Sequence, residues 1–193
     1  NFEKITEPDL SLVCKYPYKL NEILLRKGTF LNPSPYKDAI NGFTSLLENE
    51  KYITYIVTQI PRESKYAMWE KKEWLSKYFP NFDQEYFIGT HKKYLICGDL
   101  LIDDNPKHLK EFTEYRQDRI SVAMDHLYNK KCKYTYKVRN WKEIEVLLKN
   151  LPETQQCSAP SCSSAGKLLP FINFPFKNGK FKKTCKECKL VRI

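Results

Sequence analysis

The chain has 193 residues, 41% apolar and 29% charged, which excludes a disordered or fibrous protein and leaves room for one ordinary core plus a small appendage. No run approaches the roughly 20 apolar residues a membrane-crossing helix needs, and the residues after Asn1 lack the charged-then-apolar profile of a secretion signal. The net charge of +10 favours contact with phosphate, as a substrate or as a nucleic-acid backbone, with a lysine-rich solvated surface as the alternative.

A start at Asn1 and not at Met reads as a processed, trimmed or incomplete N-terminus. The first thirty residues are mixed, with a short helix expected over 19–25 that stops at Gly28, followed by a loop at "NPSP", residues 32–35. "YKDAINGFTSLLENE" then places Ala39, Ile40, Phe43, Leu46 and Leu47 at helical spacing, and "YITYIVTQI" (52–60) is a β-rich run. Residues 64–79 return to helical spacing through Met68, Trp69, Trp74, Leu75 and Phe79. "YFIGT" (86–90) and "KYLICGDLLID" (93–103) read as strands, a helix is expected from Pro106 toward Tyr115, and "RISVAMDHL" (119–127) is a further strand. The last regular segment, 140–151, is a helix with Asn140 as its cap. Helices alternating with near-continuous apolar strands predict an α/β fold, a parallel sheet covered on both faces. After Leu151 the chain turns polar and small ("PETQQCSAPSCSSAG"), which puts a domain boundary near Pro152 and divides the chain into 1–151 and 152–193.

The most suggestive stretch is "KYLICGDLLIDDNP", residues 93–106, in which an apolar run empties into Asp99, Asp103 and Asp104. Ligands of open parallel sheets bind beyond the C-terminal strand ends, and clustered carboxylate oxygens suit Mg²⁺. The alternative is that these aspartates cap the following helix or a turn before Pro106.

"GDLLIDDNP" (98–106) resembles the fourth motif of the haloacid-dehalogenase superfamily, in the form used by 5′(3′)-deoxyribonucleotidases. "GTFLNPSPYKDAINGFTSL" resembles that family's "GFF…L.P.PGA..AL" segment, "YIVTQIP" its second motif and "MWEKKEWLSKYFP" its following helix. "VAMDHLYN" and "VRNWKEI" resemble its late "FDHPYN…NW.E" signature, so the likeness runs in order over roughly residues 20–150. The resemblance implies a doubly wound parallel sheet and a Mg²⁺-dependent phosphatase of (deoxy)nucleoside monophosphates, working through an aspartyl-phosphate. It implies that Thr58 binds a phosphoryl oxygen, that Lys93 neutralises the phosphate and the nucleophile, and that Asp103 and Asp104 hold Mg²⁺ directly or through water. Thr58 as a plain strand-end hydroxyl and Lys92 as the inward lysine are the alternatives. The family's first motif, an Asp-x-Asp on an apolar strand, occurs nowhere in the 193 residues. The resemblance therefore implies that the nucleophile, the general acid and the first strand of the sheet come from an upstream segment or a separate chain, that the fold has rearranged, or that the protein is an inactive relative.

The tail reads Cys157-x4-Cys162 and, after 22 intervening residues, Cys185-x2-Cys188, a spacing that fits a tetrahedral Zn²⁺ ribbon or treble clef, with unligated thiols as the alternative. Between the pairs, "FPFKNGKFKK" reads as a two-strand hairpin turning at Asn178-Gly179. Eight Lys or Arg and two Glu give residues 151–193 a charge of +6, and the lysines interleave with Phe174, Phe176 and Phe181. This suits a nucleic-acid or ribonucleoprotein contact, or equally a small ribbon core with a solvated face. Scattered thiols at Cys14, Cys97 and Cys132 with a metal-like tail predict a reducing intracellular compartment, cytoplasm or organelle matrix. Two functions stay open: a nucleotidase, or a non-catalytic subunit attached to an assembly through its basic tail.

Overall fold

The computed structural model describes residues 5–116 and 119–151, with the short stretches 154–156, 168–170, 176–177 and 180–181. Two small helices come first. In α1 (Leu10–Val13) the Asp9 carboxylate accepts the Ser11 N–H as a cap, and α2 (Pro17–Leu25) starts with proline where the missing N–H costs nothing. Neither helix buries a residue. The chain then turns at Gly28, whose φ of 92° favours glycine.

From α3 (Ala39–Leu47) onward helices alternate with parallel strands. β1 (Ile56–Thr58) leads through α4 (Ala67–Tyr78) to β2 (Phe87–Gly89), and the two strands pair in parallel. β3 (Leu100–Asp103) leads through α5 (Pro106–Tyr115) to β4 (Ile120–Met124), again in parallel, and β5 (Tyr136–Val138) extends that sheet beyond β4 before α6 (Trp141–Asn150). The architecture is mixed α/β with parallel sheets, consistent with the fold the motifs imply. Among the described residues β1 pairs only with β2 and β3 only with β4. One apolar cluster nonetheless joins both sheets: Phe43 and Leu46 from α3, Leu75 from α4, Phe87 from β2, Val122 from β4, Tyr136 and Val138 from β5, and Ile144 and Leu147 from α6. Burial on this scale, at about 25 cal/mol per Å² of apolar surface, is what holds two narrow sheets in one body.

The expected helix over 140–151 is present, with the Asn140 side chain accepting the Glu143 N–H at 2.9 Å. Three expectations change. The run 93–103 is not one strand: Lys93–Leu95 is a 3₁₀ turn, because the buried Arg119 guanidinium donates to the carbonyls of Tyr94 (2.6 Å) and Ile96 (2.8 Å) and takes them from any ladder. Along α4 and its C-cap, Leu75 and Phe79 are buried and Trp74 packs on the core as expected, but in the first turn Met68 and Trp69 are exposed while Glu70 is fully buried. β5 lies in "KYTYKV", whose β-branched and aromatic alternation is a strand signal that the flanking lysines obscure.

Past residue 151, β6 (Thr154–Gln156) and β7 (Leu168–Pro170) pair antiparallel, so part of the stretch read as a linker is strand. β8 (Phe176–Lys177) and β9 (Lys180–Phe181) pair antiparallel around two intervening residues, the arrangement expected of a hairpin. The boundary at Pro152 and the cysteines Cys157, Cys162, Cys185 and Cys188 lie outside the described residues. No helix among the described residues is long and apolar enough to cross a membrane.

Candidate active site

The C-terminal ends of β1 and β3 carry a connected set of polar side chains. Asp103, the last residue of β3, is buried and both its oxygens are engaged. Oδ2 accepts from Lys93 Nζ at 2.7 Å and from His108 Nδ1 at 3.2 Å, while Oδ1 accepts the Asn105 N–H at 2.9 Å. Burial opposes the charge on Asp103, but the His108 hydrogen bond and the Lys93 ammonium outweigh it and hold the carboxyl well below the usual carboxylate range. The turn continues into Asn105, whose side chain accepts the Lys107 N–H and caps α5.

On the β1 side, Thr58 Oγ1 accepts from Lys71 Nζ at 2.7 Å, and the same ammonium donates to the Gln59 carbonyl at 2.7 Å. Phe30 lies with its ring centroid 4.9 Å from Lys71 Nζ. Burial first, and the charge of Lys93 second, push the Lys71 ammonium down to about 8. The Gln59 side chain closes the set: its Nε2 lies 2.9 Å from His108 Nε2. Thr58, Lys93 and Asp103 thus occupy one neighbourhood, joined by Lys71, Gln59 and His108.

Asp104 extends from the same strand end into solvent and accepts the Tyr128 hydroxyl. Burial, then this hydrogen bond, holds the Tyr128 phenol above its ordinary range. Tyr128 stacks on His126 at 5.1 Å. Asn129, fully buried, ties the loops together: its Nδ2 donates to the carbonyls of Asp104 (2.9 Å) and Met124, and its Oδ1 accepts the His126 N–H at 3.0 Å.

Asp99 does not join this group. It precedes β3, at the opposite end of a four-residue strand about 13 Å long, and its exposed carboxylate pairs with Arg116 at 3.2 Å. Grouping it with Asp103 and Asp104 by closeness in sequence is corrected by the strand between them. Of the two lysines, Lys93 faces Asp103 and Lys92 is exposed. Sequence reasoning missed Lys71, Gln59, His108 and Asn129, which reach the site from α4, the end of β1, α5 and the loop after β4. It also missed Glu70, whose buried carboxylate accepts the N–H groups of Gly28 and Phe30 and brings the Phe30 ring to Lys71. The only available signal was Glu70 falling among the apolar positions of its helix.

Thr58 and Lys71 also line a cavity of about 220 Å³ whose other walls are Phe30, Pro33, Ile56, Trp74, Leu75 and Phe87. It is an apolar chamber with a hydroxyl and an ammonium on its wall. For Mg²⁺ the donor set is small: among the described residues no group of three or more His, Cys, Asp or Glu converges. Asp103 is committed to Lys93, His108 and Asn105, which leaves Asp104 with accessible carboxylate oxygen. One or two carboxylates with water and a substrate phosphate is a usual Mg²⁺ environment, so the residues fit such an ion in that form and not as a closed cage.

Comparison with known proteins gives a consistent picture. A model of the family described as 5′ nucleotidase, deoxy (pyrimidine), cytosolic type C matches residues 2–152. A provisionally named 5′(3′)-deoxyribonucleotidase of Staphylococcus epidermidis is 37% identical over 91 residues, 47% of this chain and 49% of the relative. A protein of the same provisional name from Staphylococcus aureus is 29% identical over 129 residues, 65% of this chain and 66% of its own. The 5′(3′)-deoxyribonucleotidase of Bacillus subtilis is 29% identical over 96 residues, 50% of this chain and 52% of its own. The chain therefore spans about half to two thirds of the length of these relatives.

Proposed function

Because the chain belongs to the 5′ nucleotidase, deoxy (pyrimidine), cytosolic type C family, we propose that it supplies the phosphate-binding and acidic half of a 5′(3′)-deoxyribonucleotidase site. The membership supports a nucleotidase, a phosphatase of nucleotides; the substrate, the ion and the residue roles are the finer reading. The observation that carries it is the convergence of Thr58, Lys71, Lys93 and Asp103 at neighbouring strand ends.

A phosphate dianion placed between Thr58 and the two lysines would accept from the Thr58 hydroxyl and from Lys71, whose proton is already directed there. Lys93 is held by Asp103 and presents fixed positive charge without reorganising, the preorganisation that favours charge developing at phosphoryl oxygens. Asp104, with Asp103 through water, would hold Mg²⁺, which when bound lowers the repulsion between an anionic nucleophile and the phosphate. The apolar chamber beside Thr58 suits the base or sugar of a nucleoside monophosphate.

The reaction also needs a nucleophile, and no two aspartates in the 193 residues are spaced as Asp-x-Asp. The reading places that motif on a strand seated between β1 and β3, an upstream part of the same protein or a separate chain. In support, each of those strands has a single partner among the described residues. The Cys157, Cys162, Cys185 and Cys188 set is proposed as a Zn²⁺ site on spacing alone.

The test is phosphate release from dUMP or dTMP with Mg²⁺ by the protein as its gene encodes it. Wild type is expected to turn over, and Asp104→Asn to lose about 100-fold. A folded wild type that releases no phosphate overturns the reading in favour of the non-catalytic subunit, whose support is the missing motif and the +6 tail.

A further inference from the structure

The ends of β1 and β3 must keep a fixed spacing for Thr58 and Asp103 to act on one ligand, yet among the described residues neither strand hydrogen-bonds to the other. The apolar core, and the strand proposed between β1 and β3, fix the two sheets in bulk, but a side-chain link at the strand ends would define the placement of Thr58 and Asp103 locally. The buried His108 supplies that link. It stands in the first turn of α5, and its ring touches Asp103 on one side at 3.2 Å and Gln59 on the other at 2.9 Å.

The hydrogen-bond directions follow from the chemistry of the groups. The Gln59 amide nitrogen can only donate, so His108 Nε2 accepts, and Nδ1 therefore carries the proton and donates to the Asp103 carboxylate. This neutral tautomer satisfies both ring nitrogens in a buried place, where an unmade bond costs about 1–3 kcal/mol. We infer that Gln59 and His108 are positioning residues, a strut that fastens the phosphate-binding end of β1 to Asp103 and sets the distance between the two halves of the site. Neither touches the reacting atoms; they act through Thr58 and Asp103. The consequence for ligand binding rests on the nucleotidase reading, whereas the strut itself does not.

The two bonds of His108 can be separated by substitution. In His108→Asn the shorter amide reaches Asp103 in place of Nδ1 but cannot reach Gln59, and Gln59→Ala removes the other partner. The reporter is amide hydrogen exchange at Thr90, whose N–H bonds the Thr58 carbonyl at 2.9 Å; the control is Asp125, whose N–H bonds Val138 in the other sheet at 2.8 Å. Each single variant is expected to speed exchange at Thr90 about tenfold with Asp125 unchanged, the double variant to go no further, and inorganic-phosphate affinity to fall by a similar factor. Unchanged exchange at Thr90, or equal acceleration at Thr90 and Asp125, would overturn the strut. If exchange changes as expected but wild type binds no phosphate, the strut stands and the nucleotidase reading falls. If phosphate binds equally in all variants while only global stability drops, His108 is a packing residue and the inference is wrong.

Discussion

Lys71 shows how one side chain can have opposite effects on stability and binding. Its folded-state pKa is about 8, below the unfolded value, so between about 8 and about 10.4 the unfolded chain holds a proton that the folded chain has lost. Stability from this group therefore rises with pH across that window. Anion binding runs the other way, because the neutral amine gives Thr58 and a phosphate no charge. Affinity for inorganic phosphate, titrated calorimetrically, is expected to drop about tenfold from pH 7.5 to pH 9.5, and Lys71→Met should flatten the profile at its weak end. A wild-type profile flat over that range would remove Lys71 from the anion site. Asp103 has the same sign in an acidic window: its lowered carboxyl pKa contributes stability that is complete above about 4 and is lost on acidification below that.

Among the elements, α3 and α6 pack more closely than their patterns announce. A Cβ built on Gly42 would lie within 2.9 Å of three Trp141 side-chain carbons. Gly→Ala in a helix interior ordinarily stabilises by about 0.5–1 kcal/mol, whereas here the crowding should reverse the sign. Gly42→Ala is expected to destabilise by about 1–3 kcal/mol in urea unfolding; a gain in stability would show that Trp141 can move aside. Helices were the legible part of this fold. Phe43, Leu46 and Leu47 repeat at helical spacing, and Asn140 and Pro106 mark starts that the structure keeps. Strands were less legible because they are only two to five residues long, and neighbours such as Tyr94 and Ile96 owe their place to Arg119, about 25 positions away. The site divides in the same way. Asp103 and Asp104 stand out as a local motif, whereas Lys71, Gln59 and His108 look like ordinary helix and loop residues until the fold brings them together. Glu70 reads as a solvated charge because carboxylates on helices usually are.

For the molecule as a whole, the question is whether two narrow sheets behave as one body. Phe87 of β2 and Val122 of β4 belong to the same buried cluster, so residues 5–151 are expected to unfold in a single transition. Tryptophan fluorescence samples both parts, Trp74 facing the β1–β2 chamber and Trp141 standing on α3, and its urea curve should coincide with far-ultraviolet circular dichroism. Two separated midpoints would mean that the sheets are independent units.

The burial of Glu70 beside Lys71 also limits how this chain can drift. Successive residues leave a helix about 100° apart, so α4 grips the turn at residues 28–30 with one side chain and Thr58 with the next. A residue inserted or deleted before Glu70 would rotate both grips away together, and one inserted between them would keep only one in register. Length variation in this region should therefore be tolerated only beyond Tyr78, where the rod ends and neither load hangs from it.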